Sequence, residues 1–359
     1  MKSTYDVLIL GASYGSLLGF KLLMAGHNVT LICRPITAEV INRNGIRVHL
    51  PIPGKKEPLE IDSRELPGKL LAAGPGDVNP RDYDLVALAM AEPQYRSDGV
   101  RELMEEIAES RVPCVSIMNM PPPPYLRRIP DLDVDALEEC YTDAGVWKKF
   151  DPDCVTLCSP DPQAYRPSEQ EINVLKVTLP TNFKAARFAS EEHTAMLRKI
   201  HAQISVVRYH EVLELPVKLK LFDSIFVPLA KWPMLLTGNY RCVGETSARS
   251  IRDAVHSNLE ASRLIYAWVC NLCVKLGASA ADLVPFEKYA EAAQHLGSPS
   301  SAARALFAGA TAIERVDRLV QAIGLQRGTR SEVVDEIVRL VDARLAANRA
   351  VPERPLMSA

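Results

Sequence analysis

The chain has 359 residues, 47% apolar and 24% charged, with a net charge of −2. That length exceeds one small core and predicts two domains, and the near-neutral charge, with no basic run, excludes a dedicated nucleic-acid binder. The first apolar run, Val7–Leu10, is too short for a membrane span and lacks the flanks of a signal peptide, so a cytoplasmic protein without membrane contact is expected.

The first elements form a compact series. Tyr5–Leu10 reads as a strand ending in Gly11. The turn Ala12-Ser13-Tyr14-Gly15-Ser16 leads into an apolar helical stretch, Leu17–Ala25. Gly26 then stops the helix, because glycine takes the left-handed C′ conformation cheaply, and Asn28–Cys33 reads as a second strand. Strand, glycine turn, helix and strand within about 30 residues make a βαβ unit, whose right-handed crossover sets the two strands parallel. Asp84–Met90 and Pro113–Met118 read as further strands, with a helix over Gly99–Ser110 between them. The four prolines Pro121–Pro124 predict extended backbone. Strands follow at Asp153–Leu157, Glu171–Leu179 and Ile204–Arg208, with a helix at Glu191–Ile204.

From about Glu211 strand-like runs vanish and helical patterns dominate. The last helix carries a capping-box spacing, Thr329 with Glu332, and a core face of Val333, Val334, Ile337, Val338 and Val341. The expected fold class is α/β: an N-terminal Rossmann-type domain over 1–210, an all-α domain over 211–349 and a tail over 350–359. Apolar helices in the second domain predict a homodimer. Eight cysteines in a chain this size do not make a disulfide scaffold. Cys270 and Cys273 sit in an apolar helical run, Cys154 and Cys158 flank a strand, and no histidine spacing supports zinc, so buried thiols and no metal are expected.

The chemistry concentrates in the first turn. A helix N-terminus offers free N–H groups and a positive dipole end to a phosphate, and glycines let the backbone approach it closely. Here the pattern is Gly11-x-x-x-Gly15-Ser16, one residue shorter than the full dinucleotide fingerprint. Gly11, Ala12, Ser13, Tyr14, Gly15 and Ser16 are the candidate cofactor contacts. An NAD-specific site places an acid at the end of the second strand. This chain has Cys33-Arg34-Pro35 there, and Arg34 suits a bidentate pair with a 2′-phosphate, so NADP(H) is the expected cofactor.

The run Gly11–Leu18, the run Ala25–Arg34 and the following Ala38–Arg47 resemble the opening of the ketopantoate reductase (2-dehydropantoate 2-reductase) family, as a divergent member. The resemblance implies an NADPH-dependent reductase of a 2-oxoacid or related small carbonyl compound. It implies that Asn119, closing Ser116–Asn119, lies beside the nicotinamide and substrate. It further implies that Glu214–Leu219 opens the helical domain and carries the catalytic lysine, Lys218, with Lys220 the competing alignment. Ser301 would bind the substrate carboxylate, and Glu314, one residue out of register with Ile313, would take the family's acidic role.

Several positions depart from the family. Phe222 and Phe226 stand where it has asparagines, on one predicted helical face with Lys218, and Met120 and four prolines replace a glycine-rich turn. The lost asparagines argue against ketopantoate itself as substrate. In the implied reaction Lys218 protonates the developing alkoxide, and Asn119 and Ser301 orient the substrate. Ser301 also reads as a helix N-cap. His210, near the predicted domain junction, is a weaker titratable candidate. Two alternatives stay open: a nucleotide-binding protein of the same fold without turnover, and an opine-type reductive condensation enzyme.

Overall fold

The computed structural model describes residues 3–12, 14–167, 169–210 and 212–350. The chain divides into two compact units: residues up to Ile129 together with Asp143–Pro228, and Pro130–Thr142 together with residues from Leu229 onward.

The first unit is α/β. In chain order it comprises β1 (Asp6–Leu10), α1 (Tyr14–Met24), β2 (Asn28–Ile32), α2 (Pro35–Asn44), β3 (Arg47–Leu50), β4 (Leu59–Asp62), β5 (Leu70–Ala73) and β6 (Leu85–Leu88). Then come α3 (Val100–Ser110), β7 (Cys114–Ile117), α4 (Pro123–Leu126), β8 (Val155–Pro160), β9 (Gln163–Tyr165), β10 (Val174–Leu179), β11 (Phe183–Ala186), α5 (Glu191–Val206) and β12 (Leu219–Phe222). Eight strands form one sheet in the order β12-β11-β8-β7-β6-β1-β2-β5. From β8 to β5 all neighbours are parallel; β11 runs antiparallel to β8, and β12 parallel to β11. The central strands are apolar throughout, and Val7–Leu10 and Val86–Leu88 are completely buried, as strands covered on both faces must be. A second sheet, β4-β3-β10-β9, packs into the same core through Val48, Leu50, Ile61, Leu175 and Val177.

The second unit is helical: α6 (Trp232–Met234), α7 (Ile251–His256), α8 (Leu259–Leu276), α9 (Phe286–Ala293), α10 (Ser301–Phe307), α11 (Val316–Gln326) and α12 (Glu332–Ala350). Its core gathers Trp232, Leu236, Val269, Leu272, Leu319 and Val320. The N-terminus of α8 is capped by Asn258, whose Oδ1 accepts from the Ala261 N–H at 3.0 Å. Cys273 is buried and Cys270 half-buried; burial pushes both thiols up, Cys270 to about 11. Among the described residues no group of three His, Cys, Asp or Glu side chains is arranged to hold a metal ion. No described helix is long and apolar enough to cross a membrane.

Several expectations need correction. The strand pattern does not end near Glu211, which lies outside the described residues: β12 joins the sheet and keeps 212–228 with the α/β unit. Ile204–Arg208 is not a strand. Ile204 is the last buried residue of α5, spaced i, i+3, i+7 with Leu197 and Ile200. Pro123 and Pro124 are helical, because they occupy the first turn of α4, where a missing N–H costs nothing. The last helix is capped by Ser331, whose Oγ accepts from the Val334 N–H at 3.4 Å. Thr329 instead accepts from the Trp268 indole N–H at 3.1 Å. Of the expected tail, Ala350 ends α12 and 351–359 lie outside the described residues.

Candidate functional site

The sheet order places β6 on one side of β1 and β2 on the other. Connections leave β1 in one direction and return on the opposite side, which makes the β1/β6 boundary the topological switch point where open α/β sheets bind ligands. Gly11 sits at this boundary, directly after β1. Its φ is +103°, and a Cβ would lie 2.6 Å from the Ala89 carbonyl oxygen and 2.7 Å from Met90 Cγ. Only glycine fits there. Gly15, in the first turn of α1, meets a different constraint: a Cβ would stand 2.5 Å from Ile9 Cγ2, so the helix start lies directly on β1. The Ala12 carbonyl between them accepts from the Ser16 hydroxyl and from Arg166 Nη2, the latter at 2.8 Å. Ser13 lies outside the described residues, and Tyr14 opens α1.

A cavity of about 890 Å³ opens at this turn. Its walls are Gly11 and Ala12, the end of β2 with the start of α2 (Cys33, Arg34, Thr37), Ala89 and Met90 after β6, and Gln94, Ser97 and Asp98 before α3. Arg34 stands at the N-cap position of α2 with extended backbone and is exposed in the cavity wall. The other basic wall is Arg166, just past β9. Burial lowers its pKa, and nearby Arg34 lowers it further. Burial likewise raises the Cys33 thiol. Sequence reasoning missed Arg166. It lies 154 residues from Ala12, and no local pattern marks it: only the pairing of β9 with β10, and of β10 with β3, carries it to the turn.

The remaining predicted residues lie elsewhere. Asn119 is half-buried two residues past β7, at the same edge of the sheet as Gly11 and two strands from β1, and does not line the cavity. Lys218 directly precedes β12, so Lys218, Phe222 and Phe226 do not share a helical face: strand pairing with β11 holds the segment extended. β12 is the edge strand, five positions from β1, or about 24 Å at ordinary strand spacing. The Lys218 ammonium, 44% exposed, pairs with Glu214. Lys220 is exposed. The lysine at the opening of the helical unit is Lys231, half-buried just before α6. Within that unit Ser300, not Ser301, caps α10: its Oγ accepts from the Ala303 N–H at 3.1 Å and its hydroxyl donates to the Asn239 carbonyl at 2.7 Å. Ser301 is the first helical residue and is exposed. Ile313 is buried and Glu314 half-buried, with the Glu314 carbonyl accepting from the Tyr240 hydroxyl at 2.6 Å. His210 is exposed beside the Tyr209 ring, 4.0 Å between centroids.

No family model matches the chain, and no curated protein matches it. Solved structures do. The 2-dehydropantoate 2-reductase of Methylococcus capsulatus superposes with a TM-score of 0.66 at 13% identity, covering 97% of this chain and 99% of that one. The chain has the ketopantoate reductase fold. A PanE/ApbA family ketopantoate reductase from Ralstonia eutropha JMP134 gives a TM-score of 0.62 at 16% identity, covering 96% and 99%. A D-mandelate dehydrogenase in ternary complex with NADH and anilino(oxo)acetate gives 0.63 at 14%, with the same coverage. The dimeric ketopantoate reductase of Staphylococcus aureus gives 0.62 at 11%, again over 96% and 99%. Within this ketopantoate reductase fold the glycine turn, Arg34 and Arg166 are the residues that come together.

Proposed function

We propose that this protein is an NADPH-dependent reductase of a 2-oxoacid or a related small carbonyl compound. The observation that carries the reading is the glycine turn at the sheet's switch point, with an arginine where an NAD site holds an acid. The cavity suits a dinucleotide in two respects: Gly11 leaves room that a Cβ would fill, and Arg34 faces it without an acidic partner among the described residues. Solved neighbours that include an NADH complex and several ketopantoate reductases support the same class.

A bound reduced nicotinamide supplies the hydride to the carbonyl carbon. The chain's own groups do the rest. Gly11, Ala12 and Gly15 admit the diphosphate to the start of α1, and Arg34 forks onto the 2′-phosphate. Asn119 orients the nicotinamide or the substrate from the ligand edge of the sheet. A lysine ammonium stabilises and protonates the developing alkoxide; Lys218 takes this role in the family resemblance, and Lys231 is the lysine that opens the helical unit. Ser301 and Glu314 take the carboxylate-binding and acidic roles that the same resemblance implies. The apolar helical unit and the dimeric Staphylococcus aureus neighbour support a homodimer.

A second reading, cofactor binding without turnover, is favoured by Lys218, whose ammonium is paired with Glu214 on an edge strand five positions from the glycine turn. The experiment is a fluorescence titration with NADPH and NADH, followed by NADPH consumption over a panel of 2-oxoacids for wild type, Lys218→Ala and Lys231→Ala. Turnover lost in one lysine variant, with cofactor binding intact, identifies the proton donor. Binding without consumption of NADPH by any acceptor supports the second reading.

A further inference from the structure

We propose that Arg166 is a specificity-determining residue, the second guanidinium of a two-arginine cradle that holds the phosphate on the adenosine ribose. The inference rests on the dinucleotide reading and names a residue that neither the glycine fingerprint nor the family resemblance supplies.

A guanidinium carries five N–H donors. Arg166 spends one of them on the Ala12 carbonyl, at 2.8 Å. Among the described residues neither Arg166 nor Arg34 forms an ion pair, although both line the same cavity. Arg34 is exposed and Arg166 half-buried, so one wall presents two like charges that an anion between them would neutralise. Asp98, also in the wall, is exposed and pairs with neither. An anion of two charges with several acceptor oxygens matches two planar forks better than a carboxylate does. The N-terminus of α2, a helix of 10 residues, opens at Arg34 and adds its positive end to the same place.

Arg166 touches the glycine turn through Ala12 and also neighbours the end of β2. Its electrostatic neighbours are Cys33 and Arg34, at the end of β2, where the adenosine ribose of a dinucleotide lies. The bond to Ala12 serves as an anchor, holding the side chain at the turn in the same cavity wall as Arg34. The small sheet is then the support of the specificity device: β9 delivers Arg166, and the register Lys176 to Tyr165 and Val174 to Arg47 ties β9 through β10 to β3.

The test compares Arg166→Met and Arg166→Lys with wild type for NADPH, NADH, 2′,5′-ADP and 5′-ADP, with the melting temperature of each variant. Arg166→Met is expected to weaken NADPH and 2′,5′-ADP about 10-fold or more, the loss of charge-assisted hydrogen bonds, while NADH and 5′-ADP change less than about 3-fold. Arg166→Lys keeps the charge but not the fork, and falls between. Equal weakening of NADPH and NADH would assign Arg166 to the turn or the diphosphate and overturn the proposal, as would unchanged NADPH affinity. If wild type binds neither cofactor, the dinucleotide reading fails by itself. The 2′,5′-ADP titration then decides the cradle: binding lost in Arg166→Met supports it, and no binding overturns it.

Discussion

Two arginine clusters in this chain are handled in opposite ways. In the helical unit Arg315, 9% exposed, forks onto Asp317 at 3.0 and 2.9 Å, and its Nη1 reaches Asp342 at 2.5 Å. Asp317 is wholly buried, and the Tyr240 hydroxyl beside the cluster bridges the Glu314 carbonyl and the Val316 N–H. Every charge there has its partner inside the chain. In the α/β unit Arg34 and Arg166 face an open cavity with no carboxylate paired to either among the described residues. A charge cluster complete in itself is architecture: removing a member leaves a buried charge uncompensated. A cluster with surplus charge is completed by something outside the chain, and removing a member changes binding more than stability.

The contrast can be broken at graded positions. The largest effect is expected at the turn that shapes the cavity. Gly11→Val forces a branched side chain onto the Ala89 carbonyl at a φ of +103°. Cofactor binding should be lost outright and stability lowered by about 1–3 kcal/mol or more, read by titration and thermal unfolding. Next is the complete cluster: Asp317→Ala removes the forked partner and leaves Arg315 with Asp342 alone, which should cost about 1–3 kcal/mol, with the Kd for NADPH unchanged in the fraction that remains folded. An unaltered melting temperature would contradict its architectural role.

Lys21 tests an intermediate case. It is 4% exposed in α1, and burial first, then Arg208 and Lys218, lower its pKa to about 8. The folded state therefore releases this proton before the unfolded state does. Below about pH 8 the buried ammonium destabilises the fold, and the penalty is relieved as pH rises from about 8 toward the ordinary lysine value of 10.5. Lys21→Met should stabilise the protein on the order of 1–3 kcal/mol at pH 7, and the gain should shrink toward pH 10. A pH-independent difference would mean that packing alone changed. The smallest effect is at α10, where Ser300→Ala should cost about 1 kcal/mol and Ser301→Ala less than about 0.5 kcal/mol, measured by denaturant unfolding.

What was legible in the sequence follows the range of the interactions. The βαβ opening could be read because its signals are local: an apolar strand, two glycines at the turn and Gly26 at the helix stop. The place of Arg34 in the cavity wall could be read because the residues just after β2 lie beside the glycine turn. Arg166 could not, since its place depends on β9, β10 and β3 pairing across a separation that no periodicity records. β12 was hidden in Leu219-Lys220-Leu221-Phe222, four residues whose alternation is too short to stand out. The resulting error moved Lys218 from a sheet edge to a helix. Ser300 and Ser301 differ by one residue, and a tandem of serines does not reveal which carbonyl or amide each will meet.

The most direct test of the central claim is the titration of wild type and Arg34→Glu with NADPH and NADH. The account predicts that wild type binds NADPH more tightly than NADH. It also predicts that Arg34→Glu weakens NADPH on the order of 10–100-fold and leaves NADH nearly unchanged. Equal affinities for the two cofactors in wild type, or no binding of either at the glycine turn, would contradict it.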